Sequence, residues 1–161
     1  MPRTTFPTAL GACALSWGDA GVTGFELPVA PGRADDCMPP ATIAALVARV
    51  QQHLAGIPQD FTDVPYDFTR VPEYHREVYR VTLAVKSGQT ASYREVATVL
   101  GQPPAASRAV GAALGANPWP LLIPCHRIVS SSGKMTGFSG PGGVKTKLQL
   151  LALEGAQWFD V

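Results

Sequence analysis

Trp119-Pro120-Leu121-Leu122-Ile123-Pro124-Cys125-His126-Arg127 joins an apolar run to a cysteine that is followed at once by an imidazole and a guanidinium. Proline locks its own φ, so Pro124 stiffens the backbone immediately before the thiol. Cysteine reacts as the thiolate, and a thiol beside a histidine in a rigid, apolar-backed turn is placed for covalent chemistry. A free cysteine is also a common small hydrophobe of buried strands. These residues alone fit either reading, and the flanking sequence has to decide between them.

Directly upstream, Ser92-Tyr93-Arg94-Glu95 matches a capping box, with Ser92 as N-cap and Glu95 three residues on. Val96 and Leu100 carry that short helix to Gly101, and Gln102-Pro103-Pro104 makes a turn. A further helix over about 105–115 contains Arg108-Ala109-Val110-Gly111-Ala112-Ala113-Leu114. Short helix, tight turn and short helix form the helix-turn-helix pattern. After Ser107 and Arg108 the second helix carries almost only small residues, whereas a helix reading base edges in the major groove displays Asn, Gln, Arg or Lys. Small residues suit close approach to a narrow surface such as the minor groove, and tight internal packing fits them equally.

Working further outward, Tyr74, Val78, Val81 and Val85 mark a helix that closes near Gly88. Ala12–Trp17 and Val22–Leu27 read as a hairpin around Gly18-Asp19-Ala20-Gly21. Ile43, Leu46, Val47, Val50 and Leu54 recur at helical spacing over Ala41–Ala55, with Gly56 as the stop. Pro58, Pro65 and Pro72 keep 57–72 extended, and the boundary between two lobes is placed there: 1–71 as an N-terminal α/β lobe with its connector, 72–161 as the second domain. Beyond Cys125, a glycine-rich stretch over 130–143 leads into an apolar helix from Val144 to Leu153, followed by Glu154-Gly155.

At 161 residues, 46% hydrophobic and 16% charged, the chain is long and apolar enough for a packed core and is not a disordered chain. Its formal net charge of +1 says little about partners, because a nucleic-acid binder needs a local basic face rather than a basic total. Cys13, Cys37 and Cys125 are odd in number and irregular in spacing, which argues against a disulfide framework and for a reducing compartment. There is no CxxC pair, and none of His53, His75 and His126 stands at zinc-ligand spacing from a cysteine, so no metal site is expected. No stretch approaches the ~20 apolar residues of a membrane span. Leu10-Gly11-Ala12-Cys13 superficially matches a lipoprotein cleavage site, but Pro2 and Pro7 interrupt the apolar region it would need, so the N-terminus reads as mature and the location as cytoplasmic.

Taken together, Ser92-Tyr93, Arg108-Ala109-Val110-Gly111, Asn117-Pro118, Ile123-Pro124-Cys125-His126-Arg127-Ile128, Gly137-Phe138-Ser139-Gly140 and Leu150–Gly155 resemble the methylated-DNA–protein-cysteine methyltransferases, the guanine O6-alkyl repair proteins. The resemblance implies an α+β fold: a small N-terminal β-sheet and helix lobe, ribonuclease H-like, followed by a mainly helical, winged-helix-like domain with the helix-turn-helix. It implies double-stranded DNA carrying O6-alkylguanine as partner, approached through the minor groove by a monomer, with no cofactor. Cys125 is then the alkyl acceptor. A water links its thiol to His126, Glu154 orients that histidine, and Tyr93 assists rotation of the phosphate and donates to the guanine ring. Arg108 fills the stack vacated by the everted base. Ser92, Ala109, Gly111, Asn117 and Arg127 are expected at the DNA, and Ile128, Phe138, Ser139, Gly140 and Lys145 around the base.

Some positions depart from the family pattern. The interval from Tyr93 to Arg108 is one residue longer, in the Pro103-Pro104 turn. Gly115-Ala116 replaces a basic position of many relatives, and Phe138 stands where some have tyrosine. Two other classes compete with alkyl transfer. An alkyltransferase-like lesion-binding module shares the fold but replaces the cysteine, which Cys125 argues against. A cysteine hydrolase built on Cys125 and His126 lacks an evident oxyanion hole, and adjacent side chains rarely face one another without an intermediary.

Overall fold

The computed structural model describes residues 2–27, 37–130 and 144–156. The fold is α+β, with a small antiparallel sheet and a set of helices. Strands β1 (Arg3–Thr8), β2 (Gly11–Gly18) and β3 (Gly21–Glu26) pair antiparallel in the order β1-β2-β3. The expected hairpin is therefore the β2–β3 pair, with a register irregularity at Ser16/Trp17. β1 is an addition to the sequence reading. Proline is confined to edge positions within sheets, and Pro7 lies on β1, an edge of this sheet. Gly21 has φ +131, and a Cβ there would collide with the carbonyl of Pro65, so this turn requires glycine.

Helix α1 (Ala41–Leu54) packs Ile43, Leu46, Val50 and Leu54 inward and ends at Gly56, whose φ of +98 is the left-handed stop glycine provides. After the proline-rich connector comes α2 (Glu73–Leu83). The two-residue strand β4 (Ala91–Ser92) then leads into α3 (Tyr93–Val99). A 3-10 turn over Pro104–Ala106 runs into α4 (Ser107–Gly115). A second 3-10 turn, Cys125–Arg127, leads into β5 (Ile128–Val129), which pairs parallel with β4, and α5 (Val144–Leu153) follows. The reactive segment is thereby stitched to the start of α3.

The capping box is present in full. Glu95 N–H donates to Ser92 Oγ at 3.0 Å, and Ser92 N–H donates to the Glu95 carboxylate at 3.1 Å. Ser92 is buried and its hydroxyl is used on the helix, not displayed for DNA. Ser92→Ala should cost about 1 kcal/mol in urea unfolding, the usual worth of an N-cap hydroxyl.

One apolar core runs through both halves of the chain. At its centre is Trp119, buried, with its ring edge-on to Tyr66, Phe68 and Tyr79. Its indole N–H donates to Val22 O at 3.0 Å, and Phe25 N–H donates to Pro118 O at 2.9 Å. The segment that precedes Cys125 is thus anchored on β3 of the N-terminal sheet.

Candidate active site

The backbone around Cys125 is shaped before its side chains matter. Asn117 is buried. Its Oδ1 accepts from Trp119 N at 2.9 Å and its Nδ2 donates to Ile123 O at 2.9 Å, so one amide holds both ends of the loop between α4 and the cysteine. Within that loop Leu121 takes φ +78, a conformation costing about 1–3 kcal/mol for a side chain other than glycine. Pro124 (φ −80, ψ 65) makes an inverse γ-turn, closed by Cys125 N donating to Ile123 O at 2.7 Å. The next three residues form the 3-10 turn, which fans successive side chains about 120° apart. Cys125 and His126 therefore point in different directions.

The polar centre of the site is Glu154, at the end of α5, with its side chain 1% exposed. Four donors converge on it. Oε1 accepts from His126 Nε2 and from Arg127 Nε, both at 2.9 Å. Oε2 accepts from Arg127 Nη2 and from His53 Nε2, both at 2.7 Å. Burial raises the carboxyl pKa, but the hydrogen bonds from Arg127, His126 and His53 outweigh it and hold the group well below the usual carboxylate range. Glu154 is consequently ionised and acceptor-only, which makes both imidazoles donors from Nε2. Burial lowers the pKa of His126, against the hydrogen bond and charge of Glu154, so the ring is neutral. A neutral imidazole that donates from Nε2 keeps an unprotonated lone pair on Nδ1. That atom is buried without a hydrogen-bond partner among the described residues.

Cys125 is 6% exposed. Burial pushes its thiol pKa up, against a hydrogen bond from Asn117 and the charge of Lys147. The sulfur at rest is a protonated thiol, and a thiolate has to be generated when it is needed. Lys147 lies on the inward face of α5, two turns before Glu154. Its ammonium donates to Ile128 O at 2.9 Å and stands 5.8 Å from the centre of the Tyr93 ring. Burial brings its pKa down to about 8, against the attraction of Cys125.

The expected site residues divide clearly. His126 and Glu154 come together, Cys125 shares the turn with His126, and Lys147 stands between Cys125 and the Tyr93 ring. Arg127 was expected at the DNA. It is instead buried, with Nε and Nη2 on Glu154 and Nη1 on Val85 O at 2.8 Å. Asn117, expected at the DNA and also as the hinge residue whose side chain holds the turn after α4, faces inward and makes the turn-holding bonds to Trp119 N and Ile123 O. Ile128, expected around the base, is buried, and its carbonyl accepts from Lys147. Lys145 is exposed, because two residues along a helix turns the side chain about 200° away from Lys147. Phe138, Ser139 and Gly140 lie outside the described residues. Arg108 and Ala109 are exposed near the start of α4, and the flank of the Tyr93 ring faces Gly111 one turn on.

Two residues with site contacts were missed by the sequence reading. Both carried a signal. His53 stands on the apolar face of α1, at helical spacing from Ile43, Leu46 and Val50, where a polar ring must find a partner. Lys147 shares the inward face of α5 with Leu150, Leu151 and Glu154.

Known proteins resemble this chain in sequence and in fold. The family described as 6-O-methylguanine DNA methyltransferase, DNA binding domain, matches residues 73–156. The methylated-DNA–protein-cysteine methyltransferase of Methanothermobacter thermautotrophicus is 39% identical over 140 residues, 86% of this chain and 77% of that one. That of Mycolicibacterium paratuberculosis is 48% identical over 82 residues, 51% of this chain and 48% of that one. The crystal structure of Mycobacterium tuberculosis OGT in complex with DNA superposes with a TM-score of 0.81 at 32% identity, covering 96% of this chain and 93% of that one. The chain belongs to the methylated-DNA–protein-cysteine methyltransferase family.

Proposed function

We propose that the protein repairs DNA by transferring the alkyl group of an O6-alkylated guanine to Cys125, once per molecule. The observation that carries this reading is the His126 ring tied at Nε2 to the Glu154 carboxylate, with its Nδ1 buried and unpartnered among the described residues and so able to act as a base. In the proposed step, the thiol proton passes through a bridging water to His126 Nδ1. Sulfur then attacks the alkyl carbon, the S–C bond forms and the C–O6 bond breaks. Guanine keeps the electron pair and takes up a proton at its ring, with Tyr93 as the donor beside it, so the thiol proton is balanced by the one gained by the base. General acid–base assistance of this kind is worth about 10²–10⁴-fold. Lys147 stands where its charge favours the developing thiolate. The product is a thioether with no route back to the thiol, which makes the reaction single-turnover.

The base has to leave the duplex to reach a sulfur this deep, at a cost of a few kcal/mol. α3 and α4 are read as the helix-turn-helix, with α4 laid in the minor groove. Its outward positions are Arg108, Ala109, Ala112 and Gly115, so one long side chain projects from an otherwise flat surface. A Cβ at Gly111 would meet the Tyr93 ring only at an ordinary 3.9 Å. The fold therefore does not demand glycine there, and close approach of DNA does explain it. The remaining assignments are a ribonuclease H-like lobe over 1–71, a winged-helix-like domain over 72–161, a base pocket completed by Phe138, Ser139 and Gly140, and a cytoplasmic monomer.

The test is to incubate the protein with a duplex bearing one O6-methylguanine and weigh its peptides. One methyl on the peptide containing Cys125, saturating at one per molecule, is expected. Tight binding with an unmodified thiol would instead make the protein a lesion-binding module.

A further inference from the structure

Among the described residues, His53 is the one contact to Glu154 that comes from the N-terminal half of the chain. The ring is 1% exposed and held at both nitrogens. Gln59 N–H, just beyond the end of α1, donates to Nδ1 at 3.0 Å, and Nε2 donates to Glu154 Oε2 at 2.7 Å. The backbone donor fixes the tautomer, because Nδ1 must be unprotonated to accept it. Phe61 packs against the ring at 5.6 Å between centres and limits its tilt. The other positions on this face of α1 are Ile43, Leu46, Val50 and Leu54, and an apolar side chain would continue that face without burying a polar ring. Glu154 does not need His53 for its charge, since Arg127 already meets it through two nitrogens. The fourth donor has a different consequence. It occupies the remaining position on Oε2 and draws carboxylate charge away from His126.

Building on the proposed transfer chemistry, we propose that His53 is a positioning residue of the active site, through which the N-terminal lobe holds Glu154 and keeps His126 a neutral base. The charged and titratable groups facing His126 are Glu154 from α5, Arg127 from its own turn and His53 from α1, with Cys125 adjacent. Of these, Glu154 favours the imidazolium and Arg127 opposes it, while the neutral His53 ring acts only through its hydrogen bond to Glu154 Oε2. Without His53, Glu154 bears on His126 with less of its charge shared, and the imidazolium persists to higher pH. Protonated His126 cannot accept the thiol proton, so the acid limb of the reaction moves upward.

Two substitutions separate this role from packing. His53→Asn keeps an acceptor for Gln59 N–H but does not reach Glu154. His53→Gln places an amide N–H where Nε2 was. The readout is the pH profile of Cys125 alkylation by iodoacetamide, scored on the Cys125 peptide so that exposed Cys37 does not contribute. His53→Asn should move the acid limb up by about one pH unit, a tenfold slower reaction below its midpoint, and His53→Gln should restore the limb. A limb unmoved by His53→Asn, or moved equally by both substitutions, would overturn the proposal. Should either variant fail to fold, imidazole 15N shifts of the unmodified protein decide it. His53 must be the Nε2–H tautomer wherever Cys125 reacts, and a protonated or Nδ1–H ring would refute the role. Because the electrophile needs no DNA, failure to take methyl from a duplex would count against the repair reading and leave this coupling standing.

Discussion

Glu154→Gln is expected to slow methyl transfer by about 10²–10⁴-fold and to destabilise the fold by about 3–5 kcal/mol. The two losses have separate causes. The amide is uncharged and turns one of its two heavy atoms into a donor, so it cannot accept from His53, His126 and both nitrogens of Arg127. His126 loses the anion that fixes its tautomer, and Nδ1 is no longer reserved as the base. At the same time the Arg127 guanidinium is left buried beside a neutral group, with Val85 O as its remaining acceptor among the described residues. A double variant, Glu154→Leu with Arg127→Met, distinguishes these effects, because removing a whole buried pair is often close to neutral. Its stability should recover toward the parent value while transfer stays absent. Parent-like transfer in a stable double variant would show that the carboxylate is not part of the relay. Acid unfolding gives an independent check. The folded-state pKa of Glu154 is depressed, so its contribution is present above the unfolded carboxylate value of ~4.3 and falls away as pH drops below it. The slope of stability against pH below that value should be shallower in Glu154→Gln.

The chemistry of this site was legible in the chain to different depths. Ser92 and Glu95 announced the start of α3 because a capping box is a local interaction complete within four residues. The same holds for the stop at Gly56 and for the stiff turn before Cys125. β1 was not legible, since Pro7 is a strand breaker in isolation and only the sheet order reveals that it lies on an edge. Arg127 was misjudged for a related reason. An arginine in a nucleic-acid-binding segment reads as a phosphate contact until α5 folds back and sets Glu154 against it. Lys145 and Lys147 are two residues apart, and which one faces inward is decided by the phase of α5, which Leu150 and Leu151 define. His53 lies 101 residues from its carboxylate partner, and no local pattern can pair them. What could be read was that a polar ring on the apolar face of α1 required a partner somewhere.

Arg108→Ala is expected to slow repair of an O6-methylguanine duplex by roughly 30-fold, while reaction with free O6-benzylguanine base is unchanged. The reasoning starts from position. Arg108 is the second residue of α4, is exposed, and has no hydrogen bond or ion pair among the described residues, so its removal leaves the fold intact. The helix dipole disfavours a cation in a first turn, so helix stability does not account for an arginine there. Eversion of a paired base costs a few kcal/mol, and a side chain that occupies the gap recovers part of it. Loss of about 2 kcal/mol of that recovery corresponds to the stated factor, at 1.36 kcal/mol per tenfold. A free base has no stack to leave, so the thiol, His126 and Glu154 should handle it as before. A guanidinium that served only as a phosphate contact would behave differently: its loss would weaken duplex binding at low salt, and the deficit would shrink as added salt screened the parent protein as well. Equal slowing on duplex and free base would remove Arg108 from the eversion step and place its effect at the sulfur.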